Sequence, residues 1–451
     1  MVVDQFKTFG FVLCQLLYFL LKLVTSLLQQ ILHRCNGVAA HRKRVFADTD
    51  TTGQVAEVSR VIARLPGIGM SVASHSHFLC WHEKFTDIHY ILKPNVTLYF
   101  MDSSQAVFVE NPIDVNIYDT KKYPFFFIAQ RLSCVKVITV PMSDLLKLSS
   151  RIGDPKCSVG WILHMTRCGS TAVVQGLNAV PNCTVVSESQ DLLVLLSEIA
   201  MKQNVNFNDY LTSSTFREIL TFSVRFILKD FSKTEFACIK TTGSFSYCIV
   251  SLIADIFPDH KLVSMHRDGL ATAKSMWRMC NAHVGLNAGL FVFNRLPTKL
   301  TKPLQKFLFV ISNGLMTEVE SYFYNGELNL YVLLFIQWVT NIVTFLRASP
   351  SMRGKLLPIF HDDFQADRPQ VMLKICEYFG ISGEHLSACA QAMEGDSQAG
   401  TPLDLKLLQT KVPWKGDEQT LIVCNSILKR FNLPDINTKF RFDSNLQIEA
   451  M

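Results

Sequence analysis

The chain has 451 residues, of which 49% are hydrophobic and 18% are charged, and 44 Lys and Arg against 38 Asp and Glu give a net charge of +6. This composition excludes a disordered or fibrous chain, and the length allows two or three domains. The charge does not indicate a nucleic-acid-binding protein, although it is compatible with an anionic ligand. The 13 cysteines are scattered, and an odd number cannot all pair within one chain. With 13 in 451 residues they do not indicate a disulfide scaffold, and the redox compartment stays open.

The first predicted element is an apolar segment that runs from Phe9 to Leu32. Its 24 residues are enough to cross the ~30 Å hydrocarbon core of a membrane. The polar residues in and just after it that share one helix face are Gln15, Lys22, Ser26, Gln29 and His33. A narrow polar stripe is also typical of a helix that lies in the membrane interface or packs against a partner. We expect residues 1–44 to be a single membrane-associated helix with a basic flank.

The orientation of this helix stays open. More basic residues follow the apolar segment than precede it, which by the positive-inside rule favours the cytoplasmic side for the bulk of the chain. Glycosylation sequons at Asn95 and Asn182 permit a lumenal location instead.

A second apolar run covers residues 330–346 and carries four polar residues at helical spacing. Its 17 residues are few for a membrane span. We therefore expect a core helix here.

Residues 45–150 form a predicted β-containing region. Three β-prone runs, residues 87–102, 105–111 and 123–140, are interrupted or followed by turn-forming residues. A cluster of possible metal ligands precedes them, at His75, His77, Cys80 and His82. Its spacing fits no familiar zinc pattern, so we expect no metal site.

After residue 150 short apolar runs alternate with helix-length stretches. Five runs are each short enough for one strand: 158–165, 183–188, 235–240, 260–266 and 355–361. This alternation predicts an α/β domain over residues 151–400, with a parallel sheet covered by helices on both faces, and a C-terminal extension over residues 401–451. Ligands of such sheets bind at the carboxyl ends of the strands.

The first of these strands leads into the turn Thr166–Thr171, with the sequence TRCGST, and then into a helical stretch. Strand, small-residue turn and helix form a typical phosphate cradle, in which backbone N–H groups and the helix dipole face the anion. Arg167 adds a cation and Ser170 and Thr171 add hydroxyl donors. The Walker A pattern is absent. A tight turn without any ligand explains the hexapeptide equally well.

The fourth strand ends in His266-Arg267-Asp268-Gly269, and Ser275 follows Arg267 by eight residues on the next predicted helix. Arg267 and Ser275 are placed to bind a second phosphate. The alternative is that Arg267 and Asp268 simply cap that helix.

The two blocks, about 100 residues apart, resemble the two cofactor motifs of PAPS-dependent sulfotransferases, and FPDHKLVSMHRDGLATAKSM is most similar to the tyrosylprotein sulfotransferase branch. The resemblance covers roughly residues 155–380 and implies the P-loop NTPase-like sulfotransferase fold. It implies that a 5′-phosphosulfate is bound by the first turn and a 3′-phosphate by Arg267 and Ser275. The first-turn residues are Arg167, Cys168, Gly169, Ser170 and Thr171.

Two further residues acquire roles from the resemblance. Glu188 follows the second strand and is similar in position to the general base of tyrosylprotein sulfotransferases. Its alternative role is that of a solvated loop carboxylate. Lys240, at the end of the third strand, would stabilise the charge that develops on the leaving nucleotide. Thr241 and Thr242 follow it where the family has Asp-Pro.

Cys168 is not accompanied by a His or second Cys that would make it a nucleophile. His266 is a possible base, but its side chain is expected to point to the strand face opposite Arg267.

The resemblance therefore implies an enzyme that transfers a sulfuryl group from PAPS to a hydroxyl, without a metal. The acceptor, a carbohydrate, a protein tyrosine or another small molecule, stays open, with residues 281–303 as a candidate acceptor loop. The alternatives are a P-loop-type nucleotide phosphotransferase and a catalytically silent nucleotide-binding membrane scaffold. The resemblance implies a Golgi or ER membrane location, whereas the oligomeric state is not specified.

Overall fold

The computed structural model describes residues 2–47, 55–65, 72–149, 151–202, 207–231, 234–243, 246–282, 319, 330–352, 354–399, 401, 403–409, 418–442 and 448–450. The chain divides into two units. The unit here called the antiparallel-sheet unit comprises residues 15–158 and 186–237. The unit here called the parallel-sheet unit comprises residues 1–14, 159–185 and 238–451.

The described strands are β1 Val55–Arg64, β2 Phe78–Asp87, β3 Val96–Met101, β4 Gln105–Glu110, β5 Lys136–Pro141, β6 Ser158–His164, β7 Cys183–Ser187, β8 Phe236–Lys240, β9 Lys261–His266, β10 Leu356–Phe360, β11 Phe440–Phe442 and β12 Ile448–Ala450. The described helices are α1 Val2–Cys35, α2 Val38–Ala47, α3 Phe126–Ser133, α4 Met142–Ser149, α5 Ser170–Asn178, α6 Leu193–Met201, α7 Phe207–Thr212, α8 Ser214–Ile227, α9 Val250–Ile256, α10 Gly269–Ala282, α11 Leu330–Met352, α12 His361–Ala366, α13 Arg368–Phe379, α14 Leu386–Ala392, α15 Leu405–Gln409 and α16 Glu418–Arg430. The described residues also include three 3₁₀ turns, at His75–His77, Ile88–Leu92 and Gly383–His385.

The parallel-sheet unit is built on a five-stranded sheet with the order β10-β9-β6-β8-β7. Strand β9 pairs in parallel with β6 on one side and with β10 on the other. The five strands predicted after residue 150 are all present, and the mixed α/β character is confirmed. The buried residues of β6 and β9 form nearly continuous runs because strands covered on both faces need no polar alternation.

Helix α11 is a core helix of this unit. Over Leu330–Ala348 it is the one helix in the described part of the chain that is long and apolar enough to cross a membrane, and 78% of its most apolar window is buried. Its polar Thr340 and Asn341 are buried with it. The core helix predicted over residues 330–346 is confirmed, and the membrane-crossing helix expected over residues 9–32 is not supported.

The antiparallel-sheet unit contains a second five-stranded sheet, with the order β2-β1-β5-β4-β3 and antiparallel neighbours throughout. Helix α8 packs against it, with the rings of Phe108 and Phe226 4.8 Å apart. The buried carboxylate of Asp191 accepts a hydrogen bond from the Ser223 hydroxyl. Because β1 to β5 all lie within residues 45–150, the strand signals in that region correspond to one sheet.

Two of the predicted β-prone runs were partly wrong. Residues 88–92 form a 3₁₀ turn, and residues 126–133 form helix α3. The amide of Gln130 on this helix donates to Thr97 Oγ1 at 2.9 Å and to the carbonyl of Leu98 at 2.8 Å. Buried contacts of this kind override the β-propensity of an aromatic run, because propensity is a weak local preference.

Candidate functional site

The turn between β6 and α5 has a strained backbone. Arg167 has a φ of 66° and Gly169 a φ of 92°, both in the left-handed region. The chain reverses sharply there, and Gly169 is the N-cap of α5. The first N–H groups of α5 and the positive end of its dipole thus face the turn. A non-glycine residue such as Arg167 rarely adopts this conformation, and such residues are concentrated at functional sites.

Glycine is required at position 169 for two reasons. Its left-handed φ disfavours any residue with a Cβ. A Cβ would also lie 3.1 Å from Cδ1 of Phe364. The turn is therefore held tightly against α12.

The two sequence blocks meet at this turn. The Arg167 guanidinium donates from Nε to Oγ of Ser275 at 3.1 Å. The Arg267 guanidinium donates from Nη1 to the backbone carbonyl of Arg167 at 2.7 Å. Both arginines thus lie at the carboxyl ends of neighbouring parallel strands, β6 and β9, where ligands of such sheets bind.

Trp338 of α11 supports the second block. Its indole Nε1 donates to the carbonyl of Arg267 at 2.9 Å. A Cβ at Gly269 would lie 2.8 Å from the Trp338 ring, so only glycine permits this approach.

Lys240 lies in the same cluster, at the end of β8. Its side chain is buried, and Nζ donates to Oγ1 of Thr171 at 3.2 Å. The structure thus brings together the predicted cofactor-binding residues and Lys240 in the parallel-sheet unit. They are Arg167, Cys168, Gly169, Ser170, Thr171, Lys240, Arg267 and Ser275.

The electrostatics of this cluster favour an anion. Burial lowers the pKa of Arg167, and the neighbouring charge of Arg267 lowers it further. Burial also lowers the pKa of Arg267. The Nε of Arg267 is buried and has no hydrogen-bond partner among the described residues. A bound phosphate or sulfate would satisfy this donor and relieve the repulsion between the two guanidinium groups.

The thiol of Cys168 is neutral. Its side chain is completely buried, and burial raises its pKa. The carbonyl of Cys168 accepts a hydrogen bond from Nδ1 of His361 at 3.0 Å. Cys168 therefore contributes to the turn through its backbone rather than as a nucleophile.

His266 faces away from the cluster into an aromatic core. Its ring lies 4.7 Å from the rings of both Phe345 and Phe442, and it forms a 2.8 Å hydrogen bond with Oγ of Ser264. Burial lowers the pKa of His266 to about 3, so the ring is neutral at physiological pH. His266 is thus a packing residue, and it does not face a ligand of Arg267.

Glu188 belongs to the antiparallel-sheet unit, directly after β7. Its side chain is 8% exposed, and its φ of 57° places it in the left-handed region. A buried carboxylate on a strained backbone at a strand end is a typical functional feature.

Gln398 is a residue of this cluster that was not identified from the sequence. The side-chain oxygen of Gln398 accepts from Nη1 of Arg167, and its nitrogen donates to Oγ1 of Thr171 at 3.4 Å. Next to it, the carbonyl of Ser397 accepts from Nε2 of Gln175 at 2.9 Å. No local pattern indicates Gln398, which is 231 residues from Arg167. His361 was also missed, although its position after β10 was a usable signal.

The possible metal ligands near residue 80 have other partners. His77 Nδ1 lies 3.1 Å from the hydroxyl of Tyr99, and His82 Nδ1 lies 3.3 Å from Oε1 of Glu57. Among the described residues, no group of three or more His, Cys, Asp or Glu side chains is placed to hold a metal ion. Of the predicted acceptor loop 281–303, residues 283–303 lie outside the described part of the chain.

No protein family model matches the chain, and no curated protein is significantly similar to it. Among solved structures, a sulfotransferase from Alicyclobacillus acidocaldarius is 13% identical with a TM-score of 0.33, over 62% of this chain and 93% of that one. A sulfotransferase from Mycobacterium avium is 15% identical with a TM-score of 0.36, over 64% and 80%. Retinol dehydratase in complex with androsterone and the inactive cofactor PAP is 11% identical with a TM-score of 0.28, over 65% and 86%. TM-scores below 0.5 do not establish a common fold.

Proposed function

We propose that this protein is a sulfotransferase that moves a sulfuryl group from PAPS to a hydroxyl acceptor. The observation that carries the proposal is the junction of the two blocks, in which Arg167 contacts Ser275 and Arg267 holds the backbone of Arg167. Two anion-binding elements placed side by side suit a nucleotide with phosphate groups at both its 3′ and 5′ positions. The sequence resemblance, closest to the tyrosylprotein branch, supports the same assignment.

In the proposed reaction an acceptor oxygen attacks sulfur in line, and the bond from sulfur to the bridging oxygen of the nucleotide breaks. The acceptor proton passes to Glu188, which acts as general base. The N–H groups of the turn, Arg167 and Lys240 stabilise the negative charge that the departing bisphosphate gains. Arg267 and Ser275 hold the 3′-phosphate. No covalent enzyme intermediate or metal is part of this mechanism.

Calorimetric titration of the full chain with adenosine 3′,5′-bisphosphate tests the nucleotide part of the proposal. We expect saturable binding that is at least tenfold tighter than that of 5′-AMP, which lacks the 3′-phosphate. Equal affinities would contradict the assignment of Arg267 and Ser275. Tighter binding of ATP with Mg²⁺ would instead indicate a nucleotide phosphotransferase.

Transfer itself is tested by incubation with ³⁵S-labelled PAPS and pools of carbohydrate, tyrosine-peptide and sterol acceptors. We expect label on one class and release of the bisphosphate. Tight nucleotide binding without transfer to any class, in the presence or absence of membrane vesicles, would favour a silent nucleotide-binding protein.

A further inference from the structure

Helix α1 is oriented with its polar side towards the protein. Between residues 17 and 31, the side chains that are not exposed are Tyr18, Lys22, Thr25, Ser26 and Gln29. The exposed large apolar side chains in the same interval are Leu17, Phe19, Leu20, Leu21, Leu23, Val24, Leu27, Leu28 and Ile31, each between 41% and 64% exposed. Gln30 is the one exposed polar residue of these 15. A helix on a water-exposed surface has the opposite arrangement.

The polar side is fixed to the antiparallel-sheet unit by specific contacts. The side chain of Gln29 donates to the carbonyl of Cys80 at 3.0 Å and accepts from its N–H at 2.7 Å, so it pairs with the backbone of β2. Nε2 of His33, one turn later, lies 3.8 Å from Oε1 of the buried Glu57. These contacts define which side of α1 faces the sheet, and the described part of the chain leaves the apolar side uncovered.

The charge of this part of the chain indicates what kind of surface the apolar side of α1 contacts. No Asp or Glu occurs between Asp4 and Asp48. A groove of about 570 Å³ lies beside the end of α1 and is lined by Gln30, His33, Arg34, Ala39, Arg42, Lys43 and Phe46. An apolar helix face next to a basic groove is complementary to acyl chains next to anionic headgroups.

We propose that α1 is an in-plane membrane anchor, with its apolar side in the outer part of an anionic bilayer and a phospholipid headgroup in the basic groove. The helix does not cross the bilayer, because Gln29 and His33 on its polar side are bound to a folded sheet. This inference is independent of the proposed reaction.

Vesicle flotation of the full chain tests the anchor. We expect binding to phosphatidylcholine vesicles with 20% phosphatidylserine, and at least tenfold weaker binding for the variant Leu20→Ser/Leu23→Ser/Leu27→Ser. The matched control, Ile62→Ser/Ile113→Ser/Leu132→Ser, removes three exposed apolar side chains elsewhere in the same unit and is expected to bind within twofold of the parent. Equal binding by the two triple variants, or no binding by the parent, would overturn the proposal.

A second variant tests whether the basic groove binds a phospholipid headgroup. The variant Arg34→Gln/Lys43→Gln leaves Arg42, which lies 3.3 Å from Glu57, in place. We expect its binding to vesicles with phosphatidylserine to fall to the level of the parent on pure phosphatidylcholine. Unchanged binding would contradict the headgroup assignment.

Depth measurements separate an in-plane helix from a spanning one. Tryptophan is introduced singly at Leu17, Val24 or Ile31, which share one helix side, and quenching by lipids brominated at two depths is compared with the parent. An in-plane helix gives the same depth for all three. A spanning helix changes depth by about 10 Å at each seven-residue step, and that result would overturn the proposal. The proposal would also be overturned if the chain formed a dimer that did not bind vesicles and did not dissociate when vesicles were added.

Discussion

Arg167 donates a hydrogen bond from Nε to Oγ of Ser275 at 3.1 Å, although 108 residues separate the two. The contact joins the turn after β6 to helix α10 after β9. Parallel pairing of these strands explains it, because both carboxyl ends lie at the same sheet edge. Any anion bound by the turn therefore lies next to the residues proposed for the second phosphate.

Arg267 is expected to dominate the affinity for the 3′-phosphate. Replacing Arg267 by Ala removes a charge-assisted hydrogen bond worth about 2–3 kcal/mol. We expect the dissociation constant for adenosine 3′,5′-bisphosphate to rise roughly 30- to 150-fold, whereas that for 5′-AMP changes less. Titration calorimetry measures both. The exposed Arg430, on α16, provides the control Arg430→Ala, and a loss of less than threefold for Arg267→Ala would remove Arg267 from the site.

Gln398 accepts a hydrogen bond from Nη1 of Arg167 and donates one to Oγ1 of Thr171, two groups that the proposed nucleotide contacts. We therefore expect the nucleotide to displace it. Gln398→Ala frees both partners and should leave the affinity for the bisphosphate unchanged or raise it by up to about tenfold. Gln398→Glu places a carboxylate against Arg167 and should weaken binding by about ten- to hundredfold.

The exposed Gln391 gives the matched control Gln391→Glu, which adds the same charge seven residues away. Weaker binding by Gln398→Ala would show that the side chain contacts the nucleotide instead of being displaced.

The parallel sheet could be predicted from the sequence, because strands buried on both faces leave continuous apolar runs between helices. The turn Thr166–Thr171 and the pair Arg267 and Ser275 could also be identified, since each motif is short and local. Gln398 could not be predicted, because its contacts with the turn depend on the tertiary path of the C-terminal part of the chain.

The polar stripe of α1 was visible in the sequence as spacing, but spacing does not say what a stripe packs against. The backbone of Cys80 meets Gln29 only through the folded sheet. Helix α3 shows that local propensity can also mislead. Its aromatic residues favour a strand, but buried contacts of Gln130 override that preference.

Glu188 is expected to affect turnover and not nucleotide binding. Glu188→Gln keeps the shape of the side chain but cannot accept the acceptor's proton. We expect kcat to fall by about 10²–10⁴-fold, with the dissociation constant for the bisphosphate unchanged. The exposed Glu218 of α8 supplies the control Glu218→Gln. A fall of less than tenfold in single-turnover transfer would exclude Glu188 as the base.

Gly169 should be the least replaceable residue of the turn. An alanine there adopts a left-handed φ at a cost of about 1–2 kcal/mol, and its Cβ meets Phe364 at 3.1 Å. We expect Gly169→Ala to lower the melting temperature by several degrees and to weaken binding of the bisphosphate. Gly153, where a Cβ meets no atom of the described residues within 4 Å, provides the control Gly153→Ala. Equal melting temperatures for the two variants would contradict the steric argument.

The buried histidine His266 should make the protein less stable in acid. Burial lowers its pKa from 6.5 to about 3 in the folded state, so between those values the unfolded chain binds a proton that the folded chain does not. Stability is therefore lost as pH falls below about 6.5, by about 1.4 kcal/mol per pH unit for this residue. His266→Phe removes the titrating group. Ser264 keeps its hydrogen bond to the hydroxyl of Tyr247 at 3.1 Å in that variant.

We expect the melting temperature of His266→Phe to decline less steeply than that of the parent between pH 6.5 and 4. Scanning calorimetry over this range measures the difference in slope. Parallel slopes for His266→Phe and the parent would show that His266 is protonated in the folded protein, because only then does its replacement leave the proton balance of unfolding unchanged.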